Sequence, residues 1–201
     1  FKVVFAGSSV TLKEHFRCVT SIIEYSKREF YNHELRPLRI PRASERLDPP
    51  LIDVVVENGF RTEDVNLPEV RFIVDEIRHI VADPRMKDRS IGVVSLLADK
   101  QAFAVWERLT AEVGPDVIRR HQIACGDART FQGKERDIMF LSMVSAPNDV
   151  GAPPTRATFE QRFNVAASRA RDRMYLVRSV GPENLSDADK LRRSLIAHFS
   201  S

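Results

Sequence analysis

Along the chain, short apolar runs alternate with longer stretches in which apolar residues return every three or four positions. Ile91 to Ser95 and Ile138-Met139-Phe140-Leu141 are unbroken apolar runs of strand length. Runs of that kind predict strands buried on both faces, as in a parallel sheet. Ile52 to Glu57 is β-branched and ends at the turn dipeptide Asn58-Gly59, which predicts another strand. Ile123 to Cys125 predicts a short strand, as does Val10 to Phe16, the latter followed by a helix over Ser21 to Tyr31. The helical period is clearest over Leu67 to Ala82, where Val70, Ile73, Val74, Ile77 and Val81 share a face and Asp83-Pro84 ends it. A helix of about four turns runs from Ala98 towards Val113 and stops at Gly114-Pro115. Ser186 to Phe199 predicts a terminal helix capped by Ser186, with acidic residues in its first turn. Arg36 to Pro50, rich in proline and charge, predicts a loop or surface excursion that is partly disordered. Strands alternating with helices imply parallel βαβ units and an α/β layered fold.

Composition changes this picture little. The 201 residues suit one domain with a real core, and the net charge of +3 is modest. A nucleic-acid partner must therefore be argued from clustered charge rather than from the total. Cys18 and Cys125 lie far apart with no metal-ligand spacing, which predicts two reduced cysteines in a cytoplasmic protein and no metal held by this chain. No apolar run reaches the length of a membrane span. The first residue is Phe1, so residues 1–201 are expected to be one domain of a longer chain.

Two stretches carry the candidate chemistry. Asp127 to Val144, DARTFQGKERDIMFLSMV, sets a polar glycine-containing turn before the apolar run. Arg162 to Val177, RFNVAASRARDRMYLV, predicts a helix leading into a strand. On a helical wheel Phe163, Ala166 and Ala170 fall within roughly 40° of Phe159, with Arg162 and Arg169 together on one flank. Between Arg156 and Arg178 stand six arginines against Glu160 and Asp172, which suggests a cleft lined for phosphate. Ligands of such folds bind at the carboxyl ends of the strands, and Ser95, the FQGKE turn and the start of the arginine helix are expected to converge there.

FQGKERD followed by RFNVAASRAR resembles motifs V and VI of superfamily 1 helicases, and LKEHFRC resembles their motif IV. The likeness is to the 5′-to-3′ group that includes the nonsense-mediated-decay helicase, and within it to large bacterial helicases carrying nuclease-like domains. It implies a second RecA-like domain, a three-layer parallel-sheet fold of the P-loop NTPase type without its own P-loop. It implies that Arg17 and Arg169 reach ATP phosphates as catalytic arginine fingers. It assigns Glu135 to the ribose, lets Gly133 bring the backbone close, and has Gln132 tune the link between nucleotide cleft and nucleic-acid track. Ser95 and Thr130 stand where relatives contact single-stranded nucleic acid, DNA ahead of RNA, although each also suits a purely local role, a strand-end cap or a turn. VVSLL around Ser95 departs from the family's Thr-Pro-Tyr, and Ala167-Ser168 replaces Leu-Thr.

CGDARTFQGKE is not a Walker A motif: six residues separate Gly126 from Gly133, and Glu135 replaces the magnesium-binding hydroxyl. No DExx stretch accompanies it. ATP and Mg2+ are thus expected to be held mainly by a first RecA-like domain of the same polypeptide, and this chain alone to be inactive as an ATPase. Two other classes stay open. A non-catalytic nucleic-acid-binding module would use the arginine cluster electrostatically and have no need of Arg17 or Glu135. A metal-dependent nuclease would need a compact D…E-x-K constellation, and Lys134-Glu135 has the wrong order.

Overall fold

The apolar runs become the centre of one sheet because each must bury both faces. The computed structural model describes residues 14–200. In chain order the elements are β1 (Glu14–His15), α1 (Thr20–Phe30), β2 (Arg36–Pro37), β3 (Leu51–Val55), β4 (Arg61–Thr62), β5 (Val65–Asn66) and α2 (Leu67–Ala82). There follow β6 (Ile91–Ser95), α3 (Asp99–Glu112), α4 (Pro115–Arg120), β7 (Ala124–Gly126), β8 (Arg136–Ser142), α5 (Ala157–Ala167), β9 (Ala170–Arg178) and α6 (Lys190–Phe199). Five strands form a sheet in the order β3-β9-β8-β6-β7, and every neighbouring pair is parallel.

Strand alternation divides the core between the two faces. Val94, Met139, Leu141, Met174 and Leu176 pack with Ile22 and Ile23 of α1, Phe163 of α5 and Leu195 of α6. Val93, Ile138, Phe140, Tyr175 and Val177 pack with Ile73, Val74 and Ile77 of α2 and with Val105 and Leu109 of α3. Phe140 and Tyr175 stack across β8 and β9 with centroids 4.4 Å apart. The result is the expected three-layer α/β domain of RecA-like type.

α2 and β6 occupy the predicted residues, and α1, α3, β3 and β8 lie within a few positions of theirs. Other expectations are corrected. α5 ends at Ala167, so Ala170 opens β9 and Arg169 sits in the turn between helix and strand rather than on the helix flank with Arg162. α6 starts at Lys190 instead of Ser186, with Asp189 rather than Ser186 at its N-cap position. The Asp189 carboxylate is taken by the fully buried Arg192. Past Gly114, where the preceding helix was expected to stop, Pro115 begins the short helix α4, since proline suits a first helical turn. Of the strand expected over Val10 to Phe16, only β1 falls within the described residues, and it pairs with β2 outside the main sheet. The run Lys2 to Ala6 lies outside them.

The 36–50 excursion is tied down rather than loose. Arg39 and Arg89 both grip the buried Asp172, at 2.6 and 2.8 Å, and Arg89 also donates to the Glu45 carbonyl. Among the described residues no helix is long and apolar enough to cross a membrane.

Candidate functional site

Because all five strands run the same way, their starts share one edge of the sheet and their ends the other. Glu135 directly precedes β8 and Arg169 directly precedes β9. The Arg136 amide donates to the Arg169 carbonyl at 3.0 Å, and the Val19 amide donates to the Arg171 carbonyl at 3.0 Å. The second bond carries the β1–α1 turn, and with it Arg17, to the same edge. Arg17 Nε donates to Glu135 Oε2 at 2.6 Å and its Nη1 to the Ser168 carbonyl at 3.3 Å. Three residues separated by up to 152 positions thus meet at one place.

Charge there is unbalanced. Arg171 approaches Glu135 Oε1 and Asp137 Oδ1, each at 3.6 Å, so Arg17, Arg169 and Arg171 gather round two carboxylates. The buried Arg169 Nε finds no hydrogen-bond partner among the described residues. Burial, and then the neighbouring Arg17 charge, pull the Arg169 guanidinium below its usual pKa. An anion entering here would relieve both the orphan donor and the repulsion. His15 accepts from the Cys18 amide at 3.2 Å, a hydrogen-bonding role, and burial followed by Arg17 holds it below the usual imidazole range. Phe16, 65% exposed, stands beside Arg17 in an open cleft of about 370 Å³ that Glu135 also lines. The exposed ring sets a flat apolar face beside Arg17. Phe16 and Arg171 stand next to Arg17 and close to Arg169 in the two motifs, and that adjacency is the signal in the sequence for their presence here.

The other arginines of the stretch disperse. Arg178 forms two 2.8 Å bonds to the Asp53 carboxylate, and Arg173 donates to the Asp48 and Pro49 carbonyls. Arg162 turns towards the Leu97 carbonyl and lies over the Phe159 ring. The expected phosphate cleft therefore narrows to Arg17, Arg169 and Arg171.

The expected convergence at the carboxyl ends of the strands holds in part: the start of α5 reaches the loop after β6 through Arg162 and Leu97 and shares a cleft with Gln132, whereas Glu135 lies on the other edge. Ser95 ends β6, on the edge opposite Glu135 and Arg169. It is fully buried, and its hydroxyl donates to the Ala98 carbonyl at 2.5 Å and accepts from the Ala98 amide at 3.3 Å. The turn Asp127 to Gly133 travels between the edges. Thr130 is exposed there, its amide and hydroxyl both donating to Asp127 Oδ1. Gln132 is exposed in a cleft with Arg129, Gln161 and Arg162. Gly133 has φ of 77°, which glycine adopts without strain, and a Cβ there would meet nothing within 4 Å. Open space beside that backbone leaves room for a close approach from outside.

The opposite edge holds a different polar cluster. Glu69, fully buried, accepts from Ser142 Oγ at 2.7 Å, the Val144 amide at 3.0 Å, Ser179 Oγ at 3.0 Å and Asn66 Nδ2 at 3.2 Å. Gln101 joins it by donating to Ser142 Oγ at 2.9 Å and accepting from the Asn66 amide at 2.8 Å. Asn66 with Glu69 three residues on is a helix-start signal in the sequence, and Asn66 does cap α2.

The chain resembles a known family and known structures. The AAA domain family matches residues 3–180. A solved structure, the C-terminal domain of a possible DNA helicase from Lactobacillus plantarum WCFS1, is 16% identical, covering 91% of this chain and 96% of that one with a TM-score of 0.47. No curated protein matches the sequence.

Proposed function

The chain belongs to the AAA domain family, and from that premise we propose that it is the second RecA-like motor domain of an ATP-dependent superfamily 1 helicase of the 5′-to-3′ group. In this reading a first RecA-like domain of the same polypeptide holds most of ATP and Mg2+. This chain brings arginines to the phosphates and part of the track for single-stranded nucleic acid, DNA ahead of RNA. The observation that carries the reading is the meeting of Arg17, Glu135 and Arg169 at one edge of the sheet, with Arg169 Nε unpartnered.

Phosphoryl transfer is catalysed mainly by positioning and charge stabilisation. Arg169 presents a guanidinium whose donors are unspent, and Arg17 can leave Glu135 at little cost because that pair is about a third exposed or more on both sides. Two planar guanidiniums grip the oxygens of one phosphate from different directions and stay charged while doing so. Glu135, released from Arg17, accepts hydrogen bonds from the hydroxyls of a ribose, and Phe16 offers its face to the base. Gly133 lets the backbone approach, and Gln132, in a cleft with Arg129 and Arg162, connects the nucleotide end of the turn to the strand-contacting end at Thr130. Arg17 and Arg169 would draw the two domains together around ATP, so the grip on single strand changes with the nucleotide state.

The 201-residue chain alone should show negligible ATP turnover. In a protein carrying both motor domains, Arg169→Ala should lower kcat at least about 100-fold while ATP affinity stays within about tenfold. Near-normal kcat in that variant, or robust turnover by the single domain, would overturn the reading.

A further inference from the structure

Asp99, Ala102, Phe103, Trp106 and Thr110 recur along α3 at spacings of three and four, so they share one face. Beside the edge strand β7, that face forms one wall of a cleft of about 460 Å³ bordered by Phe103, Trp106, Arg129 and Thr130. Beyond Trp106 a second cleft of about 540 Å³ continues past Ile118 to Arg119 and Arg136. Trp106 and Ile123 line both, so the two form one groove with an aromatic wall. Arg129 also borders a third cleft of about 550 Å³, walled by Gln132, Thr158, Gln161 and Arg162. It is a ridge with rings on one side and amides, a hydroxyl and a guanidinium on the other.

The chemistry of the two sides is complementary to one kind of ligand. Phe103 is 62% exposed, although the adjacent face of its helix buries Val105 and Leu109 in the core. Four arginines and two aspartates line the three clefts. Asp127 is already committed, holding the Thr130 turn and Arg129 Nε at 2.6 Å. Asp99 reaches Arg129 and Arg162 only at 3.6 and 3.9 Å from an exposed position, contacts that an incoming anion readily replaces. Flat apolar faces beside a basic channel are what a single strand of nucleic acid requires, since bases stack on rings while phosphates follow the guanidiniums. A peptide adding to β7 would gain only three residues of ladder and leave the arginines unmatched.

We propose that single-stranded nucleic acid crosses the Arg129 ridge, with phosphates in the Gln132–Arg162 cleft and bases laid on Phe103 and Trp106. This rests on the helicase reading and extends its track from Thr130 into a stacking groove outside the nucleotide site. Trp106 is the only tryptophan of the chain, so the groove carries its own reporter.

The test titrates the full chain with an end-labelled oligothymidylate of about fifteen nucleotides, long enough for one such site. Label anisotropy and Trp106 emission are followed together at low salt. Both should report one dissociation constant, on the order of 10–100 μM, with Trp106 emission quenched at saturation. Phe103→Ala, a substitution at an exposed position, should weaken binding about tenfold with an unchanged melting temperature. Arg129→Ala should weaken it and reduce the slope of log K against log salt by about one. Binding seen by anisotropy with Trp106 silent and Phe103→Ala unaffected would overturn the groove while leaving the helicase reading standing. Absence of binding at low salt would also overturn the groove, whereas the helicase reading fails by the turnover assays of the Arg169→Ala variant and of the single domain. Equal quenching by an acidic peptide would overturn it in favour of a protein partner.

Discussion

The two edges of the central sheet answer the same problem, where to put polar groups at strand ends, in opposite ways. At the ends of β8 and β9, Glu69 is sealed from water and takes four hydrogen bonds, while Gln101 and Asn66 close the circuit around it. At the starts of the same two strands, Arg17, Arg169 and Arg171 crowd two carboxylates, and a buried donor of Arg169 goes unmet. Buried polar groups are almost always satisfied, so an unmet one asks for an explanation. The Glu69 circuit is a satisfied joint that holds α2 and α3 to the sheet, although the same edge also keeps two buried atoms unmet among the described residues, Arg192 Nε and Asp189 Oδ1, beside Ser145. The unsaturated edge has capacity left for a ligand.

The sharpest break of this comparison is Glu69→Ala. It would strand the Ser142 and Ser179 hydroxyls and the Val144 amide inside the protein, while the Asn66 side-chain amide keeps the Val144 carbonyl and Ser179 Oγ, at about 3–5 kcal/mol of stability in a urea unfolding curve. Arg169→Ala, which removes an orphan instead of creating several, should stay within about 0.5 kcal/mol of wild type in the same measurement. Equal losses in the two variants would mean that saturation does not separate the edges.

A gentler version uses pH. Burial pushes the Glu69 carboxyl up to about 7 from an ordinary 4.5, against the opposing pull of its hydrogen bonds from Ser142, Val144 and Ser179. The folded chain therefore holds this proton more tightly than the unfolded one. Its contribution to stability is fully present below about 4.5 and is lost as pH rises to about 7, amounting to about 3 kcal/mol at most. His15 works in the other direction: its lowered value means that the unfolded chain holds the proton more tightly, so that stability falls as pH drops through the imidazole range. Unfolding free energies between pH 5 and 8 should slope differently in wild type and Glu69→Gln, and identical slopes would remove Glu69 from the account.

Much of the unsaturated edge was legible in the sequence, and little of the saturated one. Arg17, Glu135 and Arg169 lie in short motifs whose order carries the information, and the apolar runs that become β6 and β8 need no partner to be recognised. The Glu69 circuit joins residues 35 to 110 positions apart, and serines in a strand give no periodic signal. Ser95 stayed open between two roles because its place at a strand end is shared by both. A hydroxyl there can face a ligand or close the turn onto Ala98, and packing on both sides of β6 selects the second. Arg169 was misplaced on a helix because an alanine-rich sequence keeps the helical period past Ala167, whereas pairing with β8 claims Ala170 for the sheet.

The smallest expected effect concerns the Arg17–Glu135 pair itself. Its 2.6 Å separation would suggest a strong contact, yet the two side chains are 32% and 41% exposed, and exposed pairs are worth about 0–1 kcal/mol. Arg17 keeps its bond to the Ser168 carbonyl, and Arg171 stays near Glu135, so neither charge is isolated when the other is removed. A double-mutant cycle of Arg17→Ala and Glu135→Ala, read by urea unfolding, should therefore give a coupling below about 0.5 kcal/mol that fades with added salt. The same Glu135→Ala variant should bind inorganic tripolyphosphate a few-fold more tightly than wild type, because Arg17 no longer has to leave a carboxylate first. A coupling above about 1.5 kcal/mol, insensitive to salt and without any gain in tripolyphosphate affinity, would make the pair scaffolding like the Glu69 circuit, and the contrast between the two edges would fail.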